Sequence, residues 1–177
     1  MAEPLSPAAQ ARVRRNRILG LSIAAAIFVL DQATKWVVVY LLQLPQRQQI
    51  ELLPVFRLFY VKNPGVSMGF LTAESDVARW LLVAMTAAIA TFVTVWLWRE
   101  KNRGDAVALS FVLGGALGNI LDRARLGYVV DFADLHFGDF HPFLVFNVGD
   151  AAITIGVLLL LVRALLTRER TSPPEEE

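Results

Sequence analysis

The sequence predicts an all-α membrane protein with four transmembrane helices, a small extracytoplasmic β-stranded surface element and an interfacial amphipathic segment. Three observations predict it. Of the 177 residues, 55% are hydrophobic and only 19% charged, against roughly 45–50% and about 25% in a soluble domain. The apolar residues are gathered into runs of bilayer-spanning length. Aromatic and β-branched residues collect in two long connections between those runs. This distribution argues against a soluble enzyme, a disordered chain or a nucleic-acid binder. A net charge of +1 signals no electrostatic partner. With no cysteine, disulfides, thiolate metal sites and a cysteine nucleophile are excluded.

Residues 1–17 form a polar lead ending in Arg12, Arg14, Arg15 and Arg17. The first span, 18–44, is unbroken to Leu30, then carries Asp31, Gln32, Thr34 and Lys35, and stops at Pro45. A secretory leader also begins basic and then apolar. Here the small residues Ala24, Ala25 and Ala26 lie inside the run, and the apolar character resumes at Trp36, which reads as a retained span. The second span, 77–98, holds one charge, Arg79, near enough to its end to snorkel. The third, 105–121, is shorter and glycine-rich toward its end. The fourth, 148–166, has Asp150 at its start and Arg163 near its end. The acidic, proline-containing tail 167–177 reads as disordered. Residues 18–166 are therefore one four-helix membrane domain between a short lead and a tail.

Basic residues set the expected orientation. Arg12, Arg14, Arg15, Arg17, Arg99, Lys101, Arg103, Arg163, Arg168 and Arg170 flank one side. Arg47, Arg57, Lys62, Arg79, Arg123 and Arg125 are spread over much longer loops on the other. Both termini are expected in the cytoplasm, with the loops 45–76 and 122–147 outside. Within the first loop, residues 49–62 partly alternate and suggest short strands at the membrane surface, and Asn63-Pro64-Gly65 signals a turn. In the second, Phe132, Leu135, Phe137, Phe140 and Phe143 suggest an amphipathic piece lying in the interface.

Charges inside or at the mouth of a span are functional candidates by default. Asp31 and Lys35 are four apart, on one helical face, and either orient the helix as a self-neutralising pair or serve a site. Asn147 and Asp150 fit an N-cap and a first-turn carboxylate, a reading compatible with catalysis. Asp131 sits among apolar residues, and burial raises a carboxyl pKa. If Asp131 and Asp150 meet, they cannot both ionise, and one can take a proton from water while the other gives one to a carbonyl oxygen. Asp122, Asp134 and Asp139 are rivals on the same side. Gly114 and Gly118 form a small-xxx-small pair suited to close helix packing. Asn119, Asp122 and Arg123 follow where that helix reaches the outer surface. There Arg123 either binds a carboxylate or lipid phosphate or pairs with Asp122 as an anchor. His136 and His141 do not make a metal pattern, because Pro142 breaks the regular helix their spacing would need. No metal is expected.

Four blocks, in order, resemble the bacterial signal peptidase II family of membrane aspartic endopeptidases. Asp31-Gln32-Ala33-Thr34-Lys35 is similar to its D-x-x-[S/T]-K, and Asn63-Pro64-Gly65-Val66-Ser67-Met68-Gly69 to its N-x-G-x-[A/S]-aromatic-[G/S]. Gly114 to Arg123 with Val129-Val130-Asp131-Phe132 resembles G-G-A-x-G-N-x-x-D-R…V-V-D-F, and Phe146-Asn147-Val148-Gly149-Asp150 resembles F-N-x-A-D. The resemblance covers residues 18–166. It implies that Asp131 and Asp150 are the catalytic dyad. It also implies that Asp31, Lys35, Asn63, Gly65, Gly118, Asn119, Arg123 and Asn147 bind substrate or support the site. The implied substrate is a diacylglyceryl-modified prolipoprotein, cut on the amino side of the lipidated cysteine. Membrane lipids are implied partners, nucleic acid is not, and the cyclic peptide globomycin is an implied inhibitor. The dyad and water suffice, so no cofactor is implied. The implied location is the bacterial inner membrane, with the site toward the extracytoplasmic face. Met68 stands where the family has an aromatic residue and Gly149 where it has alanine; these departures bear on packing and substrate preference more than on chemistry. Two other readings compete: a Ser–Lys peptidase using Ser67 and Lys35, and a proton-coupled transporter relaying through Asp31 and Lys35, which would be expected to show internal repeats that are not seen.

Overall fold

In a computed structural model, which describes residues 6–65 and 76–169, four helices are long and apolar enough to cross a membrane. The chain runs α1 (Pro7–Trp36), a π-helical turn (Val37–Leu41), α2 (Leu44–Arg47), β1 (Gln49–Leu53), β2 (Phe56–Asn63), α3 (Asp76–Arg99), α4 (Arg103–Leu126), β3 (Val129–Leu135) and α5 (Val148–Glu169). Ser67, Met68, Gly69 and the tail from 170 lie outside the described residues.

The first helix starts earlier than the hydropathy suggests, because Ser6 caps it (Ala9 N to Ser6 Oγ, 3.4 Å) and Pro7 opens its first turn. The arginines expected in a polar lead therefore ride on α1. Asn16 is buried and donates to the carbonyls of Glu100 and Lys101 (3.4 and 2.9 Å), while Arg17 Nε donates to Trp98 O (2.5 Å). Arg17 thus satisfies a carbonyl that the last turn of α3 leaves open, and Asn16 satisfies two in the connection that follows it.

The central helix is α4. Over half of its most apolar 18-residue window (56%) is buried, against 17% for α3 and α5. Asn102 caps its start and Gly127, at φ 86°, ends it. It packs against α1, α3 and α5. Its glycines permit this, since a Cβ on Gly114 would meet Ala24 O at 2.6 Å and Ile27 Cβ at 2.8 Å. A Cβ on Gly115 would strike Gly149 O in α5, and one on Gly118 would strike the Asp31 carboxylate in α1. Large apolar side chains of α1, α3 and α5, such as Val29, Phe92 and Leu158, face outward (61%, 66% and 55% exposed). That is the surface a bilayer would cover.

The surface element is a three-stranded antiparallel sheet in the order β1-β2-β3. Its third strand was not anticipated: residues 132–135 fall in β3, where an interfacial amphipathic piece was expected. The strand is buried on both faces, so it lacks the polar–apolar alternation that betrays a half-exposed strand. Its free edge is taken by Phe146, whose N and O pair with Ala133 O and N at 3.0 and 2.8 Å. The exposed aromatic stretch begins only after Leu135, with Phe137, Phe140, Phe143 and Leu144, the last 91% exposed.

Candidate active site

Three elements meet at the end of the bundle that carries the sheet: α1 beyond Leu30, α4 beyond Gly118, and the β3–α5 connection. Because α4 continues to Leu126, Asn119, Asp122 and Arg123 are all helical and share its end.

Asp31 is fully buried and has no unmet acceptor. Its Oδ2 receives Lys35 Nζ (2.8 Å) and Gln32 Nε2 (3.1 Å), and its Oδ1 receives Gly149 N (2.8 Å). Asp31 thus takes an N–H that the first turn of α5 cannot use itself. Gly118 leaves the room this needs. Lys35 Nζ reaches Asp122 Oδ2 (2.9 Å) and Asn119 Oδ1 (3.1 Å) as well. Asp122 also accepts from Val130 N (3.2 Å) and Gln32 Nε2 (3.1 Å), and so ties β3 to the helices. The expected helix-face pair is therefore one part of a buried cluster of two carboxylates, one ammonium and two amides.

Lys35 fixes the orientation of Asn119. With Oδ1 turned to the ammonium, Nδ2 donates to Asp150 Oδ1 at 2.8 Å. The other Asp150 oxygen accepts from Asn147 N (3.1 Å), while Asn147 Oδ1 accepts from Asp150 N (2.9 Å). This is a reciprocal capping box at the start of α5, so capping and a role at the site coexist. Asn147 Nδ2 spans to Asp131 Oδ1 (2.6 Å) and to Asn119 Oδ1 (3.2 Å). Asp131 Oδ2 accepts from Asn63 Nδ2 at 2.8 Å. Register explains that contact: Val61 lies opposite Asp131 and Asn63 opposite Val129, so Asn63 and Asp131 are diagonal neighbours on one face. Asn63 Oδ1 in turn accepts from Gly65 N (2.9 Å), holding the turn whose glycine has φ 80°.

Asp131 and Asp150 thus hang from one chain of amides, Asn63, Asn147 and Asn119, with one N–H donor on each of their oxygens. Burial pushes the Asp131 carboxyl up to about 6; the donors Asn63 and Asn147 oppose the rise, and the charge of Asp150 adds to it. Arg123 lies within the field of both carboxylates. Its guanidinium stands over Gly65, and its buried Nε has no hydrogen-bond partner among the described residues. Arg123 is not the partner of Asp122, which belongs to Lys35. Against Asp150 lies a groove of about 350 Å³ lined by Phe143, Leu144, Phe146, Ala151, Thr154 and Ile155.

The rival carboxylates lie elsewhere. Asp134 is buried against Arg57 Nε (2.7 Å) and His141 Nδ1 (2.9 Å). Burial raises its pKa, but these two partners outweigh that and hold it below the usual carboxylate value. Asp139 is exposed. His136 faces Glu51 at 3.6 Å and lies 5.9 Å from the His141 ring, centroid to centroid. Among the described residues, no group of three His, Cys, Asp or Glu could hold a metal. Two contributors escaped the sequence reading. Gln32 bridges Asp31 and Asp122 and also donates to Gly118 O (3.3 Å), and Arg79 closes the end of α4 through Arg123 O and Ala124 O (2.9 and 2.5 Å). Gln32 falls within a motif block, but its role needs α4 beside it. Arg79 reads in the sequence only as a charge that snorkels from the end of its span.

Residues 23–166 match the family model described as signal peptidase (SPase) II. The lipoprotein signal peptidase of Rhizorhabdus wittichii is 59% identical over 160 residues, covering 90% of this chain and 93% of its own. That of Sphingopyxis alaskensis is 55% identical over 151 residues, covering 85% and 87%. A bacterial membrane enzyme solved in meso at 2.3 Å resolution superposes with a TM-score of 0.73 at 26% identity, covering 90% of this chain and 94% of that one. A second, at 1.9 Å resolution, gives 0.71 at 28% identity, with 83% and 92% covered.

Proposed function

Because the chain belongs to the signal peptidase II family, multi-pass membrane aspartic hydrolases of lipoprotein signal peptides, we propose that Asp131 and Asp150 are its catalytic pair. The observation that supports this is the amide chain Asn63–Asn147–Asn119, whose members hydrogen-bond to both carboxylates, with Asn147 bonded to each of them. One carboxylate removes a proton from the attacking water. The other, kept protonated, delivers a proton to the scissile carbonyl oxygen. Asp131 suits the second role, because burial favours its protonated form. The two residues exchange roles when the tetrahedral intermediate collapses and the amine leaves.

Asp31, Lys35, Gly118, Asn119 and Asn147 position the pair. Asn63, Gly65 and Arg123 lie beside Asp131, and the Arg123 Nε, which has no partner among the described residues, suits a substrate carbonyl once substrate enters. The substrate is a diacylglyceryl-prolipoprotein cut on the amino side of its lipidated cysteine. The apolar groove against Asp150 suits an apolar part of that substrate. We place the enzyme in the bacterial inner membrane, with both termini cytoplasmic, the catalytic pair toward the extracytoplasmic face, and globomycin as an inhibitor.

The test is cleavage of a diacylglyceryl-modified prolipoprotein by purified variants. Asp131→Asn and Asp150→Asn should each lower kcat by about 10²–10⁴-fold with the fold retained, while Ser67→Ala keeps most activity. An active aspartate variant together with a dead Ser67→Ala would replace the dyad by a Ser–Lys mechanism. The three acceptors around the Lys35 ammonium argue against its serving as that base.

A further inference from the structure

We propose that the outer ends of α1 and α4 and the sheet between them form a binding site for one anionic phospholipid, separate from the aspartate pair. A cavity of about 300 Å³ lies there, and Asp131, Asp150, Asn63 and Asn147 are not among its walls. Lys35 and Asp122 form part of its floor; the Lys35 ammonium is shared between Asp122 (2.9 Å) and Asp31 (2.8 Å), which leaves that buried cluster a formal charge of −1 for the cations around the cavity to outweigh. The cavity's depth is set by Trp36 and Tyr40, which line it and are 57% and 63% exposed. Aromatic residues at the end of a span mark the headgroup level of a bilayer.

Charge selects the ligand. Arg125, exposed on the last turn of α4, lines the cavity and has no carboxylate partner among the described residues. Lys62 lies 5.1 Å above the ring of Tyr128, another wall residue, and is likewise without a carboxylate. The neighbouring cations are spent: Arg57 on Asp134, and Arg79 on the carbonyls that end α4. Two phenols complete the polar side. Tyr60 and Tyr128 hydroxyls stand 3.4 Å apart, and burial together with that neighbour raises the Tyr60 pKa, so the hydroxyl stays a donor. On the remaining side Leu126, 44% exposed, carries the wall out to the lipid-facing surface. Basic pockets between spans take lipid phosphates in this way. A diacylglyceryl-cysteine carries no phosphate, so the substrate's own lipid gives these cations nothing to bind.

The test is native mass spectrometry of the full-length protein released from nanodiscs of equal phosphatidylglycerol and phosphatidylethanolamine. Wild type should retain one phosphatidylglycerol in preference to phosphatidylethanolamine. Arg125→Gln in the cavity wall and Lys62→Gln above the Tyr128 wall should each cut that retention by about fivefold, while Arg47→Gln, an exposed cation of α2 on the same side, leaves it unchanged. Lys62→Gln is on an exposed side chain and serves where Arg125→Gln lowers the unfolding temperature. Equal retention of the two lipids, or a loss in Arg47→Gln matching that in Arg125→Gln and Lys62→Gln, overturns the site. Displacement of the lipid by millimolar inorganic phosphate would make it a free-anion site and overturn the proposal as stated.

Discussion

Replacing Lys35 by Met tests the buried cluster most directly. The stem of Lys35 survives, but its ammonium leaves Asp31 Oδ2, Asp122 Oδ2 and Asn119 Oδ1 together. Both carboxylates stay buried, with side chains 0% and 6% exposed. They keep three donors: Gly149 N on Asp31, Val130 N on Asp122, and Gln32 Nε2 between them. Removing one partner of a buried ion pair costs about 3–5 kcal/mol. At about 2–4 °C per kcal/mol for a chain of this size, the unfolding temperature in detergent should fall by about 6–20 °C. Asp122→Asn in the same background removes one of the stranded charges and should recover part of that loss. Cleavage should fall even at temperatures where the variant is folded, because Asn119 no longer has a cation to fix which end of its amide faces Asp150. The assays are a thermal melt and cleavage at a temperature well below it. A Lys35→Met enzyme that melts within about 2 °C of wild type and cleaves normally would refute the reasoning.

Further outcomes concern Asp131, Gly118 and Asp134. With Asp131 as the proton donor and its carboxyl raised to about 6, kcat/KM should fall as pH rises through that value. Asn63→Ala removes a donor that favours the charged form, so it should move this limb to higher pH; an unmoved limb would assign it to another group. By the same shift, protonated Asp131 favours the fold at acid pH, and that contribution is lost as pH rises from about 4 to 6. Gly118→Ala drives a Cβ onto the Asp31 carboxylate and should cost about 1–3 kcal/mol, read as a lower melting temperature; an unchanged melt would show that α1 can move away freely. Asp134→Asn removes the carboxylate shared by Arg57 and His141. It should loosen the 136–146 segment, seen as faster proteolysis there, with the cluster around Lys35 and its melting behaviour largely intact.

Much of this could be read from the chain alone, and for a physical reason. A bilayer imposes length and apolarity on each span, so the four runs announced themselves to within a few residues at most ends, and the first two strands showed in the pattern of 49–62. In so apolar a chain, the few polar residues near span ends stood out, and Asp31, Lys35, Asn119, Arg123, Asp131, Asn147 and Asp150 were visible as candidates. The start of α1 was missed by about ten residues, because a cap and good helix formers extend a helix regardless of hydropathy. The third strand was missed because burial on both faces erases the period of two.

Sequence spacing determined which residues could share a helix face, and nothing more about who meets whom. It left Asp122 open as a partner for Arg123; the packing of α4 against α1 gave it to Lys35. It could not show that Asp131 and Asp150, 19 positions apart in the chain, come together; Asn147 and Asn119 link them. Those pairings depend on how closely three helices approach. That approach is set by Gly114, Gly115 and Gly118 meeting backbone and side chains of α1 and α5. A side chain's identity is local information, but its partner is a property of packing, and packing exists only once the helices have closed on one another.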